Sequence, residues 1–143
     1  MARLLAALVF AASVACASAP AAAQPVSAAD ARAARSVVAA QLDAFANDDA
    51  ERAFSYAAPE IRTMFGTPER FLAMVRAGYP VVYRAASVTF LVPVRVDGEL
   101  VQGVHLTDAD GALWLATYRL ERQRDGMLRI KGCEVQPASG KMV

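Results

Sequence analysis

The apolar residues of this chain change their spacing once, near Ser87. Before that point they recur at every third or fourth position, and after it at every second. The first spacing turns one face of a helix toward a core, and the second turns one face of a strand toward it. A chain that makes all its helices and then all its strands folds as α+β, with the helices packed on one face of an antiparallel sheet.

The helical half divides at its caps. Ser27 and Asp30 form a capping box in which Asp replaces the usual Glu or Gln. It opens a helix expected over about Ala28 to Ala46, with Ala34, Val37, Val38, Leu42 and Phe45 as its apolar stripe. Asn47-Asp48-Asp49 ends that helix and caps a short second one, to about Ala57, burying Ala53 and Phe54. Pro59 suits the first position of a third helix carrying Ile61, Met64 and Phe65, with Gly66 as the residue after its end. Thr67-Pro68-Glu69 starts a fourth, which continues through Phe71, Leu72, Met74 and Val75 to Gly78. In the linker Tyr79 to Arg84, the run Val81-Val82-Tyr83 reads as a short strand that Pro80 keeps at a sheet edge.

In the strand half, Val88, Phe90, Val92, Val94 and Val96 alternate with other residues along one expected strand. Asp97-Gly98 is a hairpin signal. Further strands are expected over Glu99 to Thr107, Ala112 to Arg122 and Met127 to Gln136, separated by Asp108-Ala109-Asp110-Gly111 and Gln123-Arg124-Asp125-Gly126. The expected architecture is three to four N-terminal helices on a curved antiparallel meander of four strands.

The N-terminus reads as a signal peptide over residues 1–23. Arg3 supplies its positive charge, Leu4 to Val14 its uncharged apolar stretch, and Ala21-Ala22-Ala23 its cleavage pattern. The apolar stretch is shorter than the roughly 20 residues a membrane span needs. Residues 24–27 then form a short tether, 28–137 one domain and 138–143 a tail. Export to the periplasm is the expected destination. A lipoprotein anchored through Cys16 is the alternative, although Ser13 stands where the leucine of such a signal belongs.

Charge and cysteine content restrict the partners. The whole chain carries a formal charge of +1. With Arg3 removed, its basic and acidic residues balance. A neutral domain without a basic cluster lacks the electrostatic footprint of a nucleic-acid binder or of a membrane-surface protein. Once Cys16 leaves with the signal peptide, Cys133 stands alone and no intramolecular disulfide can form. A single histidine, with no HxH, HExxH or CxxC spacing, offers no metal set. No Gly-rich phosphate loop and no Gly-x-Ser-x-Gly elbow is present, so no cofactor is expected.

Several stretches together resemble one bacterial family, the domain of unknown function DUF4864. They are Gln41-Leu42-Asp43-Ala44-Phe45, Asp48-Asp49-Ala50, Phe65-Gly66-Thr67-Pro68-Glu69, Gly78-Tyr79-Pro80-Val81-Val82-Tyr83-Arg84 and Leu128-Arg129-Ile130-Lys131-Gly132-Cys133. The order of helices and bent meander is similar to the nuclear-transport-factor-2-like fold, a cone closed by a curved sheet. That resemblance implies a pocket on the concave face of the sheet. It implies no single activity, because cone-fold proteins include isomerases, cyclases, hydratases, transport adaptors and ligand-binders.

The candidate residues follow from their chemistry. Tyr79, Tyr83 and Arg84 stand between the last helix and the sheet, where two phenols and a guanidinium suit an anionic or aromatic ligand. The plainer role of the tyrosines is to pack the helix–sheet seam. Trp114 and Tyr118 share one strand face and form an aromatic stripe with Phe90, more often core than platform. His105 is the only histidine and the weak candidate for a general base. Asp43, Asp48 and Asp49 are candidates to orient it, and the plainer reading is a surface strand residue. Cys133 needs a base or a helix N-terminus to become a nucleophile. Lys131 and Glu134 are expected to point away from it, so burial is the favoured role. Asp48, Asp49 and Glu51 read as capping and first-turn charge.

These features favour a non-catalytic domain binding a small ligand or a partner in a cone-shaped pocket. The first alternative is an isomerase- or hydratase-type enzyme with His105 or a pocket carboxylate as base. The second is a homodimer pairing through its sheet.

Overall fold

The computed structural model describes residues 24–138. The expected signal peptide and the residues after Ala138 lie outside these. Five helices come first: α1 (Ala28–Ala46), α2 (Ala50–Ser55), α3 (Pro59–Phe65), α4 (Pro68–Gly78) and α5 (Pro80–Tyr83). Five strands follow: β1 (Ser87–Phe90), β2 (Val94–Val96), β3 (Glu99–Thr107), β4 (Leu113–Arg122) and β5 (Leu128–Pro137). All pairings between strands are antiparallel, in the order β1-β3-β4-β5, with β2 paired to β3 beside β1.

Local chemistry sets the helix ends. The hydroxyls of Ser27 and Thr67 and the carboxylate of Asp49 accept the backbone N–H groups of Asp30, Arg70 and Arg52. Pro59 and Pro68 open α3 and α4. The capping box at α1 is half made. The Asp30 carboxylate does not turn back to the cap but reaches the sheet, where it pairs with Arg95 at 3.1 Å and Arg122 at 2.7 Å.

Two expectations for the middle of the chain are corrected. Val81-Val82-Tyr83 is not an edge strand but the helix α5, with the Tyr79 carbonyl accepting the N–H groups of Val82 and Tyr83. Pro80 at its first position suits a helix start, and burial of both valines overrides their strand preference.

The strand expected from Ser87 to Val96 is two strands, so the sheet has five rather than four. Phe90 pairs with Val104 and Val94 with Val101, which leaves three residues opposite two. Pro93, in this gap, has no N–H to give a ladder. The buried Gln102 side-chain amide donates instead to the carbonyls of Leu91 and Gly103, at 2.7 and 2.9 Å. The extra residue moves every later side chain to the other face. Val94 therefore sits opposite Val101 on the far side of the sheet, and Arg95, paired with Leu100, turns inward to Asp30. The β2–β3 hairpin then turns at Asp97 and Gly98, both with positive φ (48° and 81°), as a type I′ turn requires.

The core lies between the helices and one sheet face. Leu100, Val104 and Leu106 of β3 alternate inward, and Ala116, Tyr118 and Leu120 of β4 do the same. Against them pack Ala34, Val38, Leu42 and Phe45 of α1, Phe71, Leu72 and Val75 of α4, and the two valines of α5. Phe71 gathers the rings of Phe45, Phe54 and Phe65 at 5.8, 5.5 and 5.6 Å between centroids, all tilted. Phe54 is only half-buried, and α3 has no buried residue at all.

The β4–β5 register shifts between Arg119 and Leu120. On an unbroken pleat Lys131 would share the face of Cys133. The bulge instead sends Lys131 to the outer face, where its ammonium meets Glu99 at 2.7 Å. Gly132 fits there because the Arg119 guanidinium crosses above it, and an added Cβ would come within 2.6 Å of Arg119 Nη2.

Candidate functional site

The chain between α2 and α3 is tied to the sheet at one residue. Ile130 N–H donates to the Tyr56 carbonyl, and Ala58 N–H to that of Ile130, both at 2.8 Å. This tie holds the start of α3 over β5. Gly66, with φ 77°, ends α3, and α4 then runs back over the sheet. Because α3 stands off the core, a cavity of about 250 Å³ opens beneath it.

Its walls come from every layer. Gln41 and Phe45 of α1, Ile61, Met64 and Phe65 of α3, and Phe71, Met74 and Val75 of α4 line it, as do Tyr79 and Val82. Tyr118, Ile130 and Cys133 form the sheet side. No Asp, Glu, Lys, Arg or His is in this lining. Gln41 is fixed by its amide donating to the Ala53 carbonyl at 3.1 Å. Met64, 75% exposed, stands at the edge.

Tyr118 and Cys133 are the lining residues of the sheet side that carry a titratable group. Tyr118 is 0% exposed, and its hydroxyl finds no hydrogen-bond partner among the described residues. Burial, and then the neighbouring Cys133, push its pKa well above the ordinary tyrosine range, so it holds its proton. Burial also raises the Cys133 thiol to about 12, with Glu134 adding to the rise and Tyr118 working against it. At neutral pH the thiol is not a nucleophile.

Tyr83 and Arg84 belong to a different constellation. Asp48, at φ 52° in the loop between α1 and α2, receives the Tyr83 hydroxyl. It also pairs with Arg84 at 2.8 Å and Arg76 at 3.3 Å. Both guanidiniums lie over the Tyr83 ring, 4.9 and 5.2 Å from its centroid. The Tyr83 hydroxyl and the two cations hold the Asp48 carboxyl below its usual range. This exposed cluster ties the α1–α2 loop to α4 and α5. Its one carboxylate faces two guanidiniums, so the cluster carries a net positive charge. Asp43 pairs with Arg52 at 2.7 Å, and Asp49 serves as the cap of α2; neither makes a hydrogen bond or ion pair with His105 among the described residues.

A family profile described as a domain of unknown function, DUF4864, matches residues 27–143. The chain belongs to this family. No curated protein and no solved structure matches it.

Within this DUF4864 domain the sequence-chosen residues separate into four places. Tyr79 and Tyr118 line the cavity under α3. Trp114 shares the inward face of β4 with Tyr118 but lies in a second hollow of about 290 Å³ with Tyr79, Pro80 and Val135. Its indole N–H donates to Asp108 at 2.9 Å. Tyr83 and Arg84 are in the Asp48 cluster. His105, in register with Thr89 and Leu115, is in phase with Val101 and Gly103 on the sheet face away from the helices. Tyr79, Tyr83, Arg84, Trp114 and Tyr118 thus do not form one pocket.

Sequence reasoning did not find Gln41, Phe45, Phe65 and Met74 as cavity lining. Apolar periodicity places Phe45, Phe65 and Met74 on inward faces but does not tell a packed position from one beside a void, and Gln41, being polar, lies outside the expected stripe. Among the described residues no group of His, Cys, Asp and Glu could hold a metal ion, and no helix is long and apolar enough to cross a membrane.

Proposed function

We propose that this DUF4864 domain is a non-catalytic binding protein whose cavity under α3 takes a small, largely apolar molecule. The carrying observation is the cavity: about 250 Å³ of space lined by aromatic and aliphatic side chains with a few polar atoms. Ligand sites have this composition, and drug-sized ligands use roughly 300–1,000 Å³, so the occupant is small. The reading fits the cone-like, nuclear-transport-factor-2-like architecture inferred from the sequence, and the signal peptide would deliver the domain to the periplasm.

The enzyme alternative draws less support. It needs a base in the pocket, whereas His105 stands across the sheet and the Cys133 thiol is held protonated. The test is native mass spectrometry of the protein purified from the periplasm, followed by denaturing release. A reproducible bound mass, lost on denaturation, is the expected result. Turnover of any cavity-bound compound by the purified protein would overturn the non-catalytic reading.

A further inference from the structure

Among the described residues the sheet has three stretches of outer edge, on β5, β2 and β1, and the chain treats them differently. The edge of β5 is tied at Ile130 to the Tyr56 carbonyl and the Ala58 N–H, and the strand carries Arg129, Lys131, Glu134 and Pro137. Such ties, charges and prolines keep an edge from pairing with another chain. The edge of β2 is taken by Gln24, which exchanges two backbone hydrogen bonds with Arg95, at 2.9 and 3.0 Å. The edge of β1, Ser87-Val88-Thr89-Phe90, has no cover among the described residues, no charge and no proline. Leu91 N–H donates to the Gly103 carbonyl, so the alternation of an antiparallel ladder makes Thr89–His105 and Ser87–Thr107 the bonded pairs. The backbone groups of Val88 and Phe90 therefore point off the sheet. Their side chains line a hollow of about 290 Å³ with Ala39, Leu42 and Ala46 of α1 and Val82 of α5, and Val88 is 42% exposed there.

We propose that β1 is the docking edge for β1 of a second copy of this chain, the two strands running antiparallel about a two-fold axis at Thr89. This register sets Val88 opposite the partner's Phe90, and Phe90 opposite the partner's Val88. Both backbone groups of both residues then find a partner. Sliding one strand by two residues in either direction would set Val88 or Phe90 against residues outside the strand. On the inner face each Val88 packs on the partner's Phe90 and covers the hollow. The charges match as well. Arg35 lies over the Phe90 ring, 4.9 Å from its centroid, at the end of β1. The far end of α1 lies near the start of β1, because Asp48, two residues past that helix, holds Tyr83 and Arg84. Asp43, toward that end, lines the hollow. The two-fold axis therefore carries Arg35 of each copy toward Asp43 of the other, which then serves two arginines. The strand is short, so the dimer is weak and reversible. β1 does not line the cavity under α3, so this pairing is independent of the binding reading above.

Sedimentation velocity of the purified protein over a dilution series tests the contact. The expected result is a sedimentation coefficient that climbs from monomer toward dimer with concentration. Val88→Pro removes an N–H that points off the sheet and leaves the β1–β3 ladder its bonds. The variant should dimerise at least about tenfold more weakly, the worth of the two hydrogen bonds lost per dimer. Thr89→Cys reads the register. Cα atoms paired at such a non-bonded position stand about 4.5 Å apart, within disulfide range. Mild oxidation should therefore give a covalent dimer, whereas Glu134→Cys, on β5, should give none. The crosslink decides the matter alone if Val88→Pro does not fold. A wild type that stays monomeric at every concentration would overturn the proposal and leave β1 to a strand of some other protein. Dimerisation that Val88→Pro does not weaken, or a Glu134→Cys crosslink formed as readily as that of Thr89→Cys, would move the interface elsewhere. Absence of the Thr89→Cys crosslink would overturn the axis at Thr89.

Discussion

Tyr118 and Cys133 stand opposite one another in the β4–β5 ladder, and both line the cavity under α3. Tyr118 is fully buried and Cys133 half-buried, and burial suppresses the ionised form of each. The pair puts no charge in the cavity wall, which has no Asp, Glu, Lys, Arg or His.

For Cys133, slow alkylation is expected. At pH 8 iodoacetamide should modify it far more slowly than an unfolded peptide thiol, as read by mass spectrometry of the Cys133 peptide. Stability should also respond at alkaline pH. The unfolded thiol releases its proton near the ordinary value of 9, and the folded one only near 12. Between these values the unfolded chain binds fewer protons, so stability falls as pH rises. Labelling at the rate of a free thiol would contradict the burial.

Tyr118→Phe should stabilise the empty protein. It removes a buried hydroxyl that has no partner and keeps the ring in the core, so a gain of about 1 kcal/mol is expected from urea unfolding. A loss of stability would mean that the hydroxyl has a partner in solution.

Asp48→Ala should destabilise the fold, by an amount that shrinks with added salt, since the pairs it breaks are exposed. The lowered carboxyl pKa gives the sign of the pH effect. The stabilising contribution is present above the unfolded value near 3.8 and disappears as pH falls through the folded one. Unfolding midpoints of wild type and variant should therefore differ at pH 7 and converge in acid. A constant gap across that range would remove the charge from the explanation.

Trp114 is the chain's one tryptophan, and its indole is held by Asp108. The Asp108 carboxyl is kept below its usual range first by that indole and then by the N–H groups of Ala112 and Asp110. Native tryptophan emission should therefore stay constant down to the ordinary carboxylate range and change only below it. Asp108→Ala should shift the emission already at pH 7. Identical spectra for the two proteins would refute the contact.

His105→Ala should change neither the bound mass seen by native mass spectrometry nor, by more than about 0.5 kcal/mol, stability, because the residue is half-buried on the sheet face away from the cavity. A large loss of binding would return His105 to the site.

Much of the fold was legible because the decisive interactions are short in sequence. Ser27, Asp49 and Thr67 cap N–H groups three residues ahead, and Asp97-Gly98 turns on two backbone angles. Such preferences act before any tertiary contact exists. Period-two spacing likewise put Trp114 and Tyr118 on one face of β4, but it left open which face looks inward, because Leu113 and Leu115 make the other face apolar too.

What the sequence by itself determined is therefore the order and the ends of most elements, and the inward faces of the helices. Tertiary structure alone decided the rest. Burial against α1 and α4 made Val81-Val82 helical, and the Gln102 side chain stabilised the break at Leu91 to Pro93 that reversed Val94 and Arg95. The Asp48 cluster joins residues 35 and 36 positions apart, and the cavity joins Gln41 to Cys133. A local pattern states which way a side chain faces. Whether it meets a neighbour or a void depends on the fit of all layers at once, which no single stretch of chain contains.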